Sequence, residues 1–342
     1  MNPISRRDFV KMGALAALGG AGALKIAHPE HGHPASTGDK HRMSSDGGMT
    51  HAMPGFTGEV DIEGNGFDPM DILTDFDYGK VSILPNGQTL REYTITAINK
   101  EIEVAPGIKF QAWTYNGRIP GPTLRATDGD HIKITFVNGT SMPHSMHFHG
   151  FHEAEMDGVP GAGMAEPGQT FVYEFDAGPF GMHQYHCHAF PLARHIAKGL
   201  YGAFIVDPKG GRPPVDTELV MVMSGFDIDF DDLNDFYAVN AIPFYYQSHP
   251  IPLKVGAKVR IYLTNMLEFD PVNSFHLHAN FFNYYPTGTS LTPSELTDTI
   301  ILGTAQRGIL EFSYPRPGNF MFHAHVTEFS ELGWTGNFEV TA

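Results

Sequence analysis

Cysteine occurs once in the 342 residues, at Cys187, and it stands between two histidines in Tyr185-His186-Cys187-His188. Along a β-strand successive side chains point to opposite faces, so the thiol of Cys187 and the imidazoles of His186 and His188 face different metals. A thiolate with imidazoles selects copper or zinc, and one thiolate with two histidines and a weak axial group is the blue-copper arrangement. The remaining histidines point the same way. Of the 19, eight form four His-x-His pairs: His147/His149, His186/His188, His276/His278 and His323/His325. One such pair is common surface decoration, whereas four spread over both halves of a chain indicate a polynuclear metal site. A structural core cysteine among incidental histidines would leave those pairs unexplained. The residues specify copper.

Strands must present these pairs, and the pattern around them reads as strand. Ile119-Pro120-Gly121-Pro122-Thr123 is a turn, and the alternation through His131-Ile132-Lys133-Ile134-Thr135-Phe136-Val137-Asn138 is that of a half-buried strand. Ile251 to Asn265 repeats the scheme of strand, glycine turn, strand and asparagine. In each half a first His-x-His follows and a second His-rich strand closes the unit. The expected fold is therefore all-β, with two tandem Greek-key β-sandwiches. The halves differ at one point. His144 lies three residues before His147 and so faces away from it, as Cys187 faces away from its flanking histidines, and the two can meet inside the sandwich. The second half has Asn273 and Ala324 at those places. One mononuclear site is expected, in the first half only.

Composition agrees. The length suggests about two domains, and 38 glycines, 25 prolines and 26 phenylalanines without long helical periodicity favour an all-β chain. A net charge of −16 argues against nucleic acid or an anionic membrane surface as partner. Ser5-Arg6-Arg7-Asp8-Phe9-Val10-Lys11, followed by the apolar run Met12 to Leu24, is a twin-arginine pattern. That run is short for a membrane span, so a periplasmic or extracellular protein without stable membrane insertion is expected. Residues 1–27 are read as this signal segment. Residues 28–58 carry His28, His31, His33, His41 and His51 with Met43, Met49 and Met53 among polar residues. They read as a disordered linker that could also capture copper. An arm and the first domain then occupy 59–208, and the second domain 209–342.

From about residue 90 to the end the chain resembles the multicopper oxidases, specifically their two-domain laccase-like group. The resemblance rests on His144-Ser145-Met146-His147-Phe148-His149-Gly150, on the segment around Cys187, and on the two pairs of the second half. It implies cupredoxin-like domains and four coppers per chain. The type 1 copper would be held by His144, Cys187 and His195, with Leu200 in the axial place, where a non-coordinating side chain raises the reduction potential. The type 2 copper would take His147 and His276. The type 3 pair would take His149, His186, His188, His278, His323 and His325. One-electron oxidation of a small reducing substrate, phenol-like, would be coupled to reduction of O2 to water. Protons are needed there. Asp157 matches the place where the family carries an acid, and Glu328, three residues beyond His325, is a second candidate. His131, His152, His183 and His249 receive no role, and Met146 and Met182 are read as core filler.

A trinuclear site needs eight imidazoles from two facing halves, and the resemblance implies a homotrimer in which the cluster lies between subunits. Pairing within one chain stays open at this stage. The copper nitrite reductases are similar around His144 and Cys187, but carry an aspartate in place of His147, no histidine in place of His188 and a methionine in place of Leu200. Nitrite reduction is thus the rival reading, followed by cuprous or other metal-ion oxidation in copper homeostasis and by copper storage. The electron donor is not legible in the sequence.

Overall fold

The structure is a computed structural model, and it describes residues 59–342. The signal segment and the His/Met-rich linker read from residues 1–58 lie outside the described residues. The described part is nearly all-β and forms two sandwiches. In the first, one sheet holds Lys80–Ile83, Thr89–Ala105, His131–Asn138 and Thr170–Asp176, with Ile108–Tyr115 also paired to the long second strand. The facing sheet runs Phe76–Asp77, Thr123–Thr127, Tyr201–Asp207, Gly181–His186 and His147–Phe148. The second sandwich repeats this with a six-stranded sheet around Thr217–Phe226 and Val259–Asn265 and a five-stranded sheet that includes Thr335–Thr341, Gly318–His323 and Val272–Leu277.

Alternation drives burial. In His131–Asn138, Ile132, Ile134, Phe136 and Asn138 are buried, and the residues between them are half-exposed. Buried Asn138 donates to Met142 O and Ala165 O, closing the loop that leads to His144, and Asn265 reaches Leu302 O at the matching place in the second half. These asparagines end the strands that the sequence repeat predicts.

Two features hold the halves together. The arm contains short helices at Ile62–Asn65 and Pro69–Ile72. It first binds the first half, where Asn65 donates to Glu103 O and accepts the Glu103 N–H, each at 2.8 Å. It then reaches the second half, where Tyr245 donates to Asp68 at 2.6 Å and Tyr246 to Pro69 O at 2.6 Å. Finally it adds Phe76–Asp77 as a parallel edge strand beside Thr123–Leu124. The other feature is a buried charge network. Arg125, 7% exposed, donates to Asp207 at 2.7 Å and to Glu218 of the second half at 2.7 Å. Glu218 also receives Arg260 and Tyr262, each at 2.9 Å. Burial alone would raise the Glu218 pKa; Arg125 foremost, with Tyr262 and Arg260, holds it below the usual carboxylate value. Among the described residues no helix is long and apolar enough to cross a membrane.

Arg125→Ala leaves two carboxylates without their main partner. Breaking a buried pair costs roughly 3 to 5 kcal/mol, and the low end is expected because Asp207 and Glu218 keep side-chain exposures of 21% and 24%. Urea unfolding should show a loss of about 3 kcal/mol. An unchanged midpoint would mean that the network does not join the halves.

Candidate metal centres

The rung that builds the site is antiparallel: His147 lies opposite His186, and Phe148 opposite Tyr185. Residues opposite each other share a face. Met146, Phe148, Tyr185 and Cys187 therefore enter the core, each fully buried, while His147, His149, His186 and His188 turn to the other side. The same rung recurs in the second half, with His276 opposite His323 and Leu277 opposite Phe322.

Inside the first sandwich, His144, Cys187 and His195 converge. Their Nδ1 and Sγ atoms are separated by 3.1 Å (His144 to His195), 3.3 Å (Cys187 to His195) and 3.7 Å (Cys187 to His144). His144 is placed by paired backbone hydrogen bonds with Ala165, and His195 by the short helix Leu192–Ala197. Leu200 packs in the same core as Cys187 and accepts the Cys187 N–H at 3.0 Å. Burial, then the neighbouring His195, lowers His144 to about 3; burial lowers His195 to about 4 and pushes the Cys187 thiol up to about 11. The imidazoles are thus neutral, and their Nε2 atoms are buried without partners. A soft cation that displaces the thiol proton fits this donor set.

The outward imidazoles form two quartets of like geometry. His149 Nε2 and His186 Nε2 are 2.9 Å apart, as are His278 Nε2 and His323 Nε2. The His147 and His188 rings are 5.0 Å apart, and the His276 and His325 rings 5.2 Å. Backbone oxygens fix the tautomers: Nδ1 lies 2.8 Å from Asp157 O in His147, 2.9 Å from Cys187 O in His186, 3.0 Å from Asp298 O in His276 and 2.7 Å from Ala324 O in His323. Nδ1 therefore carries the proton and Nε2 is left as ligand. Burial, followed by the neighbouring imidazoles, lowers His149 to about 3, and burial lowers His186 to about 4. Among the described residues, no group of three ligand atoms within 4.8 Å of one another draws on both quartets.

Asp157 stands beside the first quartet, its Oδ1 3.1 Å from His147 Nδ1 and 3.6 Å from His152 Nε2. Glu328 lies exposed in the helix Thr327–Glu331, just after His325. His131 pairs with Asp176, His183 binds Pro179 O, and His249 stacks on Tyr245, while Met146 and Met182 are buried in the core. His152, given no role from sequence, is drawn to the site through Asp157. Sequence reasoning also missed Ser145 and Ser274. Ser145 Oγ accepts the His188 N–H at 3.1 Å, and Ser274 Oγ the His325 N–H at 2.7 Å. The clue was present, because both halves place serine two residues before the first His-x-His.

Two family models described as multicopper oxidase match residues 96–211 and 213–342, which is most of the chain. The chain belongs to the multicopper oxidase family. A solved multicopper oxidase is 61% identical with a TM-score of 0.82, over 83% of this chain and 100% of that one. The copper nitrite reductase from Nitrosomonas europaea is 28% identical with a TM-score of 0.67, over 74% and 94%. The copper-containing nitrite reductase of Neisseria meningitidis serogroup A is 28% identical over 248 residues, 67% of this chain. This multicopper oxidase chain spans 63% of the length of that relative.

For the metal-free protein the depressed histidines set a pH dependence. Unfolded imidazoles titrate near 6.5, and the folded values of about 3 to 4 at His144, His149, His183, His186 and His195 lie below that. The unfolded state binds more protons in between. Their contribution is full above about pH 6.5 and is lost as pH falls toward the folded values. Glu268 and Asp235, raised by burial to about 7 and about 6, act in the opposite sense. The five rings outnumber them, so the urea midpoint of metal-free protein should fall between about pH 7 and 5. A flat profile there would mean that these rings are hydrated.

Proposed function

We propose that the protein is a laccase-like oxidase, which removes single electrons from a small reducing substrate and reduces O2 to water. The observation that carries this reading is an outward histidine quartet in each half together with a single inner thiolate centre in the first. His144, Cys187 and His195 would hold the type 1 copper, with the non-coordinating Leu200 packed in the same core. His147 and His276 would hold the type 2 copper, and His149, His186, His188, His278, His323 and His325 the type 3 pair. Bound copper supplies the one-electron relay and the place where dioxygen is reduced. Cys187 joins the two kinds of centre covalently, since its main chain runs directly into His186 and His188. Asp157 Oδ1, between His147 and His152, can hold a proton for the oxygen chemistry, with Glu328 as a second acid on the far quartet.

Within one chain no three ligands within 4.8 Å draw on both quartets, which favours assembly of the eight imidazoles across subunits of a homotrimer. Exposed apolar side chains flank both faces: Phe190, two residues beyond His188, is 91% exposed, and Ile301, paired with Ser274 beside His276, is 72% exposed. The twin-arginine run supports action in the periplasm or outside the cell. Nitrite reduction is the second reading, favoured by relatives named copper nitrite reductases. It leaves His147 and His188 without a purpose, because it needs a single copper there. Metal-ion oxidation in copper homeostasis uses the same centres with a different donor.

Cys187→Ser should abolish the intense blue absorption while the quartets still bind copper; persistent blue colour would overturn the assignment. His188→Ala should keep the blue colour and stop oxygen uptake. Nitrite consumption without oxygen uptake by the wild type would move the nitrite reading ahead. Oligomer geometry has its own test. His188→Ala and His323→Ala subunits, each inactive alone, should regain part of the oxygen uptake when assembled together, since some interfaces then join two intact quartets. No recovery from demonstrably mixed oligomers would place the cluster within one chain.

A further inference from the structure

The imidazoles that face Cys187 have no edge at the surface. His144 is 0% and His195 1% exposed, and both Nε2 atoms are buried without partners. A donor in solvent cannot stack on or hydrogen-bond to either ring. Trp113 lies over them, its ring centroid 4.6 Å from that of His195 and 5.1 Å from that of His144. Its own indole is partly exposed. Trp113 is held in register opposite Asn99, and its backbone N–H donates to Lys198 O at 2.9 Å.

Around Trp113 the surface has a defined character. The Lys198 ammonium is 5.2 Å from the Trp113 ring centroid and 3.9 Å from that of Phe230, so one cation links the two rings. Phe230 and Leu233 are 38% and 46% exposed on the loop Asp227-Ile228-Asp229-Phe230-Asp231-Asp232-Leu233-Asn234-Asp235. Arg194 pairs with Asp227 and Asp232. Asp229 and Asp231 have no cationic partner among the ion pairs of the described residues and outnumber Lys198 at this surface, while Asp235 is buried.

We propose that Trp113 is the relay through which electrons reach the thiolate centre, and that the donor is a positively charged outer-sphere reductant that docks beside the acidic loop. This rests on the type 1 reading above. The donor loses one electron, cupric copper held by His144, Cys187 and His195 becomes cuprous, and Trp113 ends as it began. No atom or proton is transferred. The acidic loop raises the encounter rate of a cation and lowers that of an anion.

The test uses Trp113→Leu and Trp113→Phe in the full copper-loaded protein, with hexaammineruthenium(II) as reductant. Anaerobic stopped-flow bleaching of the blue band should slow by about an order of magnitude in Trp113→Leu and less in Trp113→Phe, with the band itself unmoved. Bleaching at the wild-type rate, or loss of the blue band in both variants, would overturn the relay; the second result would mean that Trp113 only supports the copper site. A wild type without a blue band would instead sink the type 1 reading. For wild type the rate should fall with added salt, and Asp229→Asn with Asp231→Asn should flatten that dependence. Faster bleaching by the anionic hexacyanoferrate(II) would overturn the cationic donor. A readout without turnover comes from the metal-free protein. The other tryptophan, Trp334, is fully buried in the second half. Copper(II) should quench a Trp113 component of the emission that is missing in Trp113→Phe, and equal quenching in both proteins would place Trp113 away from the copper.

Discussion

The antiparallel rung that pairs His147 with His186 is the constraint on which the other features depend. Strand alternation sends Phe148, Tyr185 and Cys187 into the core only while that register holds, and a slip of one residue would exchange the buried and the metal-facing sets. The aromatic core pins it: Phe148 packs against Tyr173, Phe175, Tyr185 and Phe204. The apolar core and the outward imidazoles thus use opposite faces of the same strands, and Cys187 is the core-facing residue that meets His144 and His195. The second half repeats the rung with Phe275, Leu277 and Phe322 on the inner face.

Burial then divides the labour between the halves. In the first, His144, His195 and Cys187 are taken out of water with no internal acid to charge them, so the imidazoles stay neutral and the thiol holds its proton until a metal replaces it. In the second, Asn273 and Ala324 occupy the equivalent inner places, and Trp334 packs against Phe275 and Phe322 nearby. The serines that tie down His188 and His325 are common to both halves, because both must orient an outward imidazole.

Separate faces serve separate tasks. Trp113 lies over the inner centre and meets the acidic loop through Lys198 and Phe230, while the outward quartet of the same half is joined to that centre by the chain through His186, Cys187 and His188. The helix that carries His195 is also clamped by the second half, through Arg194 and the 227–235 loop. A residue of one domain thereby fixes the surface above the other domain's metal centre.

Much of this was legible before any coordinates. Four His-x-His pairs, one cysteine, and Asn273 and Ala324 at the places of His144 and Cys187 were enough for the all-β class, the tandem repeat and an inner site in one half only. Strand geometry makes that possible, since a period of two converts spacing into facing without further information. The contacts between remote segments were not legible. Spacing says nothing of Trp113 lying on His195, of His152 meeting Asp157, of Arg125 reaching Glu218, or of the arm crossing from Glu103 to Tyr245 and back to Thr123. Those pairs are separated by loops and by the domain junction. Their meeting is decided by how two sandwiches and an arm pack to bury charge and apolar surface, a property of the whole chain and not of any local pattern.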